Sequence, residues 1–592
     1  MFTQKGSFIM KKSRTFRKSF VAAIAALCLA APLAVMPVQV ETSYADDATS
    51  TATTTYKAYQ IFEGTFANDS LGDIQWGADV NTEGLIDSIK GLEVGGTTPF
   101  VNVKEAKDVA EALGTENNSA IVKEFAKFIE QYIITEGGIE VQPGGDGVDA
   151  DNGDGYYLVK TETVAEDDAR TRFILEVMDD TIKFNPKKTI PSVVKKVQEN
   201  TEINSDHRDY ENYNDVADYN IGDSVPFLLE ATLPSNETEF NEYVAYYLRF
   251  NDTLSAGFNA PAPENIKIFV DGKEVVYNVY NIHRDVTGNS IAITIEDVNA
   301  LTGTGVSVEA GSKIAVMYNA TLNANATIGL DGNTNSVNLE YSNNPNVSYN
   351  PTTNGPKDVT EEEADNDGEV KENETTPETP DVLDNNPDDG KDTSEDNTGK
   401  TKDDTVIVFT YELDITKTFQ QSGGEYNNAT AGDAKFKIKN KDGQYAIVVD
   451  NKITGWDGNG TDVGTDGSGL VKFKGLDAGT YTIVETDTLA GYNKILDKDI
   501  VIAATMITDR QAWTSNDANE ALTALTIDGV ATTTLSEGIV GLEIQNNRGS
   551  SLPSTGGIGT TIFYLGGGTM AAVAGVYLIT KKRMKNEEDD EI

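Results

Sequence analysis

Leu413-Asp414-Ile415-Thr416-Lys417 and Gly541-Leu542-Glu543-Ile544-Gln545-Asn546 are the stretches that decide the fold. Both alternate apolar and polar residues with a period of two, as a strand with one buried face does. Leu413, Ile415 and Lys417 share one face of the first strand; Leu542, Ile544 and Asn546 share one face of the second. Between them lie Tyr481-Thr482-Ile483-Val484-Glu485-Thr486 and, at Trp456-Asp457-Gly458-Asn459-Gly460, a hairpin tip. Strands restart at Val406-Ile407-Val408-Phe409, so one β-rich region is expected over 405–548.

The same reading extends toward the N-terminus. Strands are expected at Ser224–Leu229, Tyr246–Phe250, Lys267–Val270, Ile291–Ile295 and Ile314–Tyr318, and such regularly spaced short strands argue for a sandwich over 188–350. Residues 351–404 are rich in Glu, Asp, Thr, Pro and Asn and nearly devoid of apolar side chains, so they read as a disordered acidic linker. The region 46–187 mixes strands (Tyr56–Phe62, Gly155–Val159, Arg172–Met178) with two helical segments between Glu105 and Thr135. In these, Val109, Leu113, Val122, Phe125, Phe128 and Ile129 recur at helical spacing. The expected class is all-β, with tandem immunoglobulin-like β-sandwich domains, the first carrying helical insertions.

The two ends say where the chain works. Lys11, Lys12, Arg14, Arg17 and Lys18 precede an apolar run from Phe20 to Val40 and the small-residue site Ser43-Tyr44-Ala45, which together make a secretory signal peptide over 1–45. At the other end, Leu552-Pro553-Ser554-Thr555-Gly556 precedes a transmembrane helix expected over 558–580. Lys581, Lys582, Arg583 and Lys585 then open a cytoplasmic tail over 581–592. That order resembles the Leu-Pro-x-Thr-Gly sorting signal of sortase substrates. It implies cleavage between Thr555 and Gly556, a Thr555 thioester on a sortase cysteine, and transfer to an amine. Pro553 stiffens the peptide for an extended groove.

Composition narrows the rest. The chain has 592 residues and a formal charge of −48, which argues against phosphate-backbone binding and so against nucleic acid as a partner. Its one cysteine, Cys28, lies in the signal peptide, so the exported chain carries no disulfide. With two histidines, His207 and His283, a histidine-rich zinc site or a histidine triad is not expected. Asp149–Gly155 fails the EF-hand pattern because its glycine falls one position late and no closing glutamate follows. No cofactor, metal or enzymatic turnover is expected.

Tyr481–Thr486 followed by Ala490-Gly491-Tyr492 resembles the E-box of the backbone pilins of Gram-positive sortase-assembled pili (Tyr-x-Leu-x-Glu-Thr, then Ala-Pro-x-Gly-Tyr). Here Ile483 replaces the leucine and Leu489 stands where the proline is usual. The resemblance implies a domain similar to the collagen-adhesin B-type, with an internal amide between Lys417 and Asn546 promoted by Glu485. Burial would lower the lysine pKa and supply a neutral amine, a buried carboxyl would stay protonated, and folding would hold the reactants together. In region two, Val193, Lys195 and Val197 share a face, as do Val337, Leu339, Tyr341 and Asn343. The run Leu339–Pro345 resembles the end of collagen-adhesin A-type pilin domains. It implies a second amide, Lys195 to Asn343, with Asp252 as the acid; Lys196, Asn344 and Asp223 are the alternatives. Region one shows no such set.

Ile182-Lys183-Phe184-Asn185-Pro186-Lys187 resembles the pilin motif, with Asn185 in place of its tyrosine. The resemblance implies that Lys187, or Lys188 beside it, supplies the amine that resolves the sortase thioester. The implied partners are a class C-type pilin sortase, a housekeeping sortase, further copies of this chain, ancillary pilins and cell-wall peptidoglycan. The rival expectation is a wall-anchored adhesin for a host surface or matrix protein.

Overall fold

The computed structural model describes residues 53–549, apart from 68–69, 117–118, 145–147, 150–152, 179–180, 201–212, 244, 277–280, 305, 347–397 and 513–519, together with Val576. The signal peptide, the sorting signal, the acidic stretch up to 397 and, but for Val576, the transmembrane span expected from the sequence lie outside the described residues.

Region one is built on an antiparallel sheet. Its order is Ser70–Trp76, Thr55–Ala67, Gly155–Thr163, Ile174–Met178, with Ile139–Val141 also paired to Thr55–Ala67. One face is covered by the helices Leu85–Ile89, Ala106–Leu113 and Ala120–Glu130. Val109, Leu113, Val122, Phe125 and Ile129 pack inward, as their spacing predicts. Ser119 caps the third helix by accepting the Val122 N–H at 3.3 Å. The helices therefore form a full layer over the sheet. Tyr56, Ala58, Tyr157 and Val159 on the other face pack with Ile182 and Phe184, the residues that lead to Lys187.

Region two is a sandwich of two sheets. One runs Lys273–Glu274, Lys267–Val270, Lys313–Leu322, Ser224–Thr232, Ser192–Gln198, Tyr213–Asn214. The other runs Val216–Asp218, Asp404–Phe409, Asn333–Ser342, Leu248–Leu254, Ser290–Ile295, Ile282–Thr287. The alternation in Asn333–Ser342 is strict: Asn333, Asn335, Val337, Leu339 and Tyr341 are buried and their neighbours are not.

The boundary expected at 404/405 falls inside this second sheet. Thr398–Lys400 and Asp404–Phe409 both pair with Asn333–Ser342, so the chain returns to region two after the acidic stretch. Val406-Ile407-Val408-Phe409 is apolar on both faces because both are covered. Val406 and Val408 enter the core of region two, whereas Ile407 and Phe409 enter that of region three.

Region three opens at Tyr411. Its first strand, Tyr411–Gln420, lies parallel to its last, Ile539–Asn546, with Lys417 opposite Ile544 and Phe419 opposite Asn546. The remaining strands wrap around a core that includes Leu413, Ile415, Phe436, Phe473, Ile483 and Ile544.

Candidate crosslinking and linkage sites

In region three the structure brings together the three residues that the sequence singles out. The Lys417 and Glu485 side chains are wholly shielded from solvent and Asn546 is buried. The Lys417 amine lies 3.6 Å from Glu485 Oε1, and the Asn546 amide donates to the same oxygen at 2.8 Å. One carboxylate oxygen thus addresses both the amine and the carboxamide. Its other oxygen accepts the Ile495 N–H at 2.8 Å, which fixes the group in place. Thr488 Oγ1 accepts a second hydrogen bond from the Asn546 amide at 2.7 Å, while Asn546 Oδ1 has no partner among the described residues. The Lys417 amine stands 4.9 Å from the centre of the Phe419 ring. Burial lowers its pKa to about 8, against the opposing pull of Glu485.

This shift has a testable sign. In Asn546→Ala, Lys417 has no carboxamide to react with and stays an amine. Its folded-state pKa of about 8 lies below the ordinary lysine value of 10.5, so between these values the unfolded chain binds more protons. The stability of Asn546→Ala is therefore expected to rise as pH increases from about 8 to 10.5. Denaturant midpoints measured across that range check it; a flat or falling profile contradicts a buried amine.

In region two the structure brings together two of the three expected residues and replaces the third. Lys195 is wholly buried, with its amine 2.6 Å from Asp252 Oδ1. Burial lowers its pKa, opposed by Asp252. Its neighbour Lys196 turns outward and pairs with Asp215 at 2.5 Å. Asp223 is engaged in a turn with Asn220. Asn343, the expected partner, lies six residues along the chain from Val337, which pairs with Asp252, roughly 20 Å away at strand rise. It sits instead at the border with region one, where its carbonyl accepts the Arg170 N–H at 2.7 Å. Asn344 accepts from Asn346.

The carboxamide at the Lys195 cluster belongs to Asn335, which is fully buried and pairs across from Leu254, two residues beyond Asp252. Asn335 Nδ2 donates to the Tyr318 hydroxyl at 2.8 Å; that hydroxyl bonds Asp252 Oδ2 and lies 3.5 Å from the Lys195 amine. Asn335 Oδ1 has no hydrogen-bond partner among the described residues. Tyr318, whose ionisation burial suppresses, takes the bridging place that a single carboxylate oxygen holds in region three. Lys195 and Tyr318 come from one sheet, Asp252 and Asn335 from the other, so the cluster spans the sandwich.

The two candidate linkage lysines differ in what holds them. Lys188 is tied to Asp168 and stands 5.6 Å from the Tyr56 ring centre. Burial alone would lower its pKa, but these partners outweigh it and the net shift is upward. Lys187 forms no ion pair among the described residues. Its backbone is pinned by Thr171 Oγ1, which accepts its N–H at 2.8 Å, and by the Arg172 N–H, which donates to its carbonyl at 3.0 Å. The side chain borders a small open cleft formed with Val122, Lys123 and Ala126 of the third helix and with Arg172–Glu176. Burial, then the nearby Arg172 charge, hold its amine below the usual lysine value.

Two family descriptions match the chain. Residues 422–517 match the SpaA prealbumin-like fold domain, and 544–588 match the LPXTG cell wall anchor motif. Among solved structures the chain is similar to the T6 backbone pilin of serotype M6 Streptococcus pyogenes, at 17% identity over 84% of this chain and 96% of that one, with a TM-score of 0.47. It is also similar to the Corynebacterium diphtheriae major pilin SpaA, at 12% identity over 84% and 95%, TM-score 0.39. The Bacillus cereus major pilin BcpA matches at 14% identity over 70% and 92%, TM-score 0.35. No curated protein matches. The anchor motif places the chain at the Gram-positive cell wall, and part of its last folded region matches a SpaA prealbumin-like fold domain.

Proposed function

We propose that this chain is the structural backbone subunit of a covalent surface pilus. The observation that carries the proposal is Lys187: an amine with no ion pair among the described residues and a depressed pKa, beside a cleft, in a chain that carries a cell wall anchor motif. A pilin-type sortase of class C cleaves one subunit after Thr555 and holds it as a thioester. The neutral Lys187 amine of the next subunit attacks that carbonyl. The C–N bond forms, the C–S bond breaks, and the enzyme's cysteine recovers its proton. Repetition gives a head-to-tail filament that grows without closing, and a housekeeping sortase transfers the last subunit to peptidoglycan. Ancillary pilins would join through the same sorting chemistry.

Inside each subunit, Lys417 attacks Asn546 and Lys195 attacks Asn335. In each case the amine nitrogen bonds to the side-chain carbonyl carbon and ammonia leaves. Each event happens once, so neither is turnover. Muramidase extracts of the producing cells test the reading on denaturing gels. A ladder of species rising by one subunit mass is expected; a single wall-linked monomer band would instead favour an adhesin that binds a host protein.

A further inference from the structure

Where regions two and three meet, three carboxylates converge from distant parts of the chain. Glu199 follows the strand Ser192–Gln198, Asp218 ends Val216–Asp218, and Asp477 follows Leu470–Leu476. Their oxygens lie within 4.8 Å of one another. Asp218 and Asp477 are almost fully buried, at 4% and 6% exposure. Among the described residues no lysine or arginine pairs with any of the three, although nearby Lys196, Lys472 and Lys474 are bound to other acids. Buried like charges with no counter-charge are strongly unfavourable unless a cation or protons neutralise them.

The hydrogen bonding around the cluster is incomplete on its inner side. Glu199 accepts the N–H groups of Asn200 and Asp218 at 2.8 and 2.9 Å, and one Asp477 oxygen accepts from the Asn200 side chain. The other Asp477 oxygen, Oδ1, and Asp218 Oδ2 are buried without a hydrogen-bond partner among the described residues. A separate side chain points the same way. Tyr411 is fully buried, and its hydroxyl lies against Asp218 with no close hydrogen-bond partner among the described residues. Buried polar atoms normally have partners, and orphans facing one another call for a shared ligand.

We infer that Glu199, Asp218 and Asp477 bind a divalent cation of calcium's class that staples region two to region three. Hard oxygen donors suit calcium, and two ligands on opposite sides of one such ion stand roughly 4.6–5.2 Å apart. The surrounding contacts are already interdomain. Asn220 Oδ1 accepts the Asp477 N–H at 3.1 Å and the Tyr481 hydroxyl at 3.0 Å, and the Ile221 N–H donates to the Gly475 carbonyl at 3.0 Å. Gly475 has φ +94°, and a Cβ there would meet Ile221 at 2.4 Å, so the two regions touch backbone to side chain next to the cluster. A cation held there would stiffen a joint that bears load along a filament.

Calorimetric titration of calcium chloride into the chelator-stripped 46–550 region, which holds every described residue but 576, tests the inference. One site with a dissociation constant of about 10⁻⁴–10⁻³ M is expected, in the range of extracellular calcium modules. It should weaken at least ~100-fold in Asp218→Asn/Asp477→Asn, with the melting temperature of that variant no longer responding to calcium. If the double variant fails to fold, Glu199→Gln, at a half-buried position, decides and should weaken the site roughly 10-fold. Absence of a stoichiometric site in the natural chain, or equal affinity in the variants, overturns the inference and assigns any residual binding to the acidic surface.

Discussion

The folded 46–550 region is expected to weigh less than its sequence by two ammonia molecules, and to keep that deficit after denaturation. Each cluster supplies the three things the reaction needs. A solvent-free amine has its pKa lowered by burial, a carboxamide is held beside it, and an acid oxygen connects them directly in region three and through Tyr318 in region two. Glu485→Ala is expected to restore one ammonia, and so is Asp252→Ala. The assignment within region two is sharper still: Asn335→Ala should restore one ammonia, and Asn343→Ala should restore none. Each amide ties a strand near the start of its domain to one near the end, so its loss releases a closed loop on the order of 100 residues, about 4–5 kcal/mol by the chain-entropy account. The melting temperature of the affected domain should fall by roughly 10–20 °C. Reductant should change nothing, because the exported chain has no cysteine. A well-folded sample at full sequence mass would sink both crosslinks at once.

How much of this was legible depended on what period-two patterning can encode. It fixes the face of a strand, and Lys417, Asn546 and Lys195 are buried as that face predicts, because each lies where the domain's boundary strand runs through the core. It does not fix position along the strand. Asn335 and Asn343 share parity on the same face, and only the pairing of Asp252 with Val337 shows which level meets the lysine. Tyr318 was hidden for a related reason: a tyrosine in an apolar strand reads as core until its hydroxyl is seen between two polar groups. The domain boundary was misplaced because composition marks where apolar residues resume, not which sheet they join. Val406–Phe409 resumes the apolar pattern but adds its strand to the preceding sandwich. The Glu199, Asp218 and Asp477 cluster had no local signature, since its members come together only when two domains dock.

Replacement of Lys187 by alanine in cells is expected to abolish the high-mass ladder, by at least ~100-fold in polymer relative to monomer, while the anchored monomer persists. The neutral amine is the nucleophile, and both burial and Arg172 favour that neutral form at Lys187. Lys187→Arg should fail equally, because a guanidinium remains protonated and is no nucleophile. Lys188→Ala should leave the ladder in place. Its amine is held by Asp168 and shifted upward, so at any given pH less of it is neutral, and losing that partly exposed pair should cost only about 0–1 kcal/mol of stability. The intramolecular deficit of two ammonias should survive in all three variants, since neither crosslink includes these lysines, and this separates a lost linkage from a misfolded subunit. An unchanged ladder in Lys187→Ala would remove this lysine from the polymer. A ladder lost only in Lys188→Ala would mean that the Asp168 pair opens when the enzyme docks, making the sortase, and not the resting subunit, the source of the free amine.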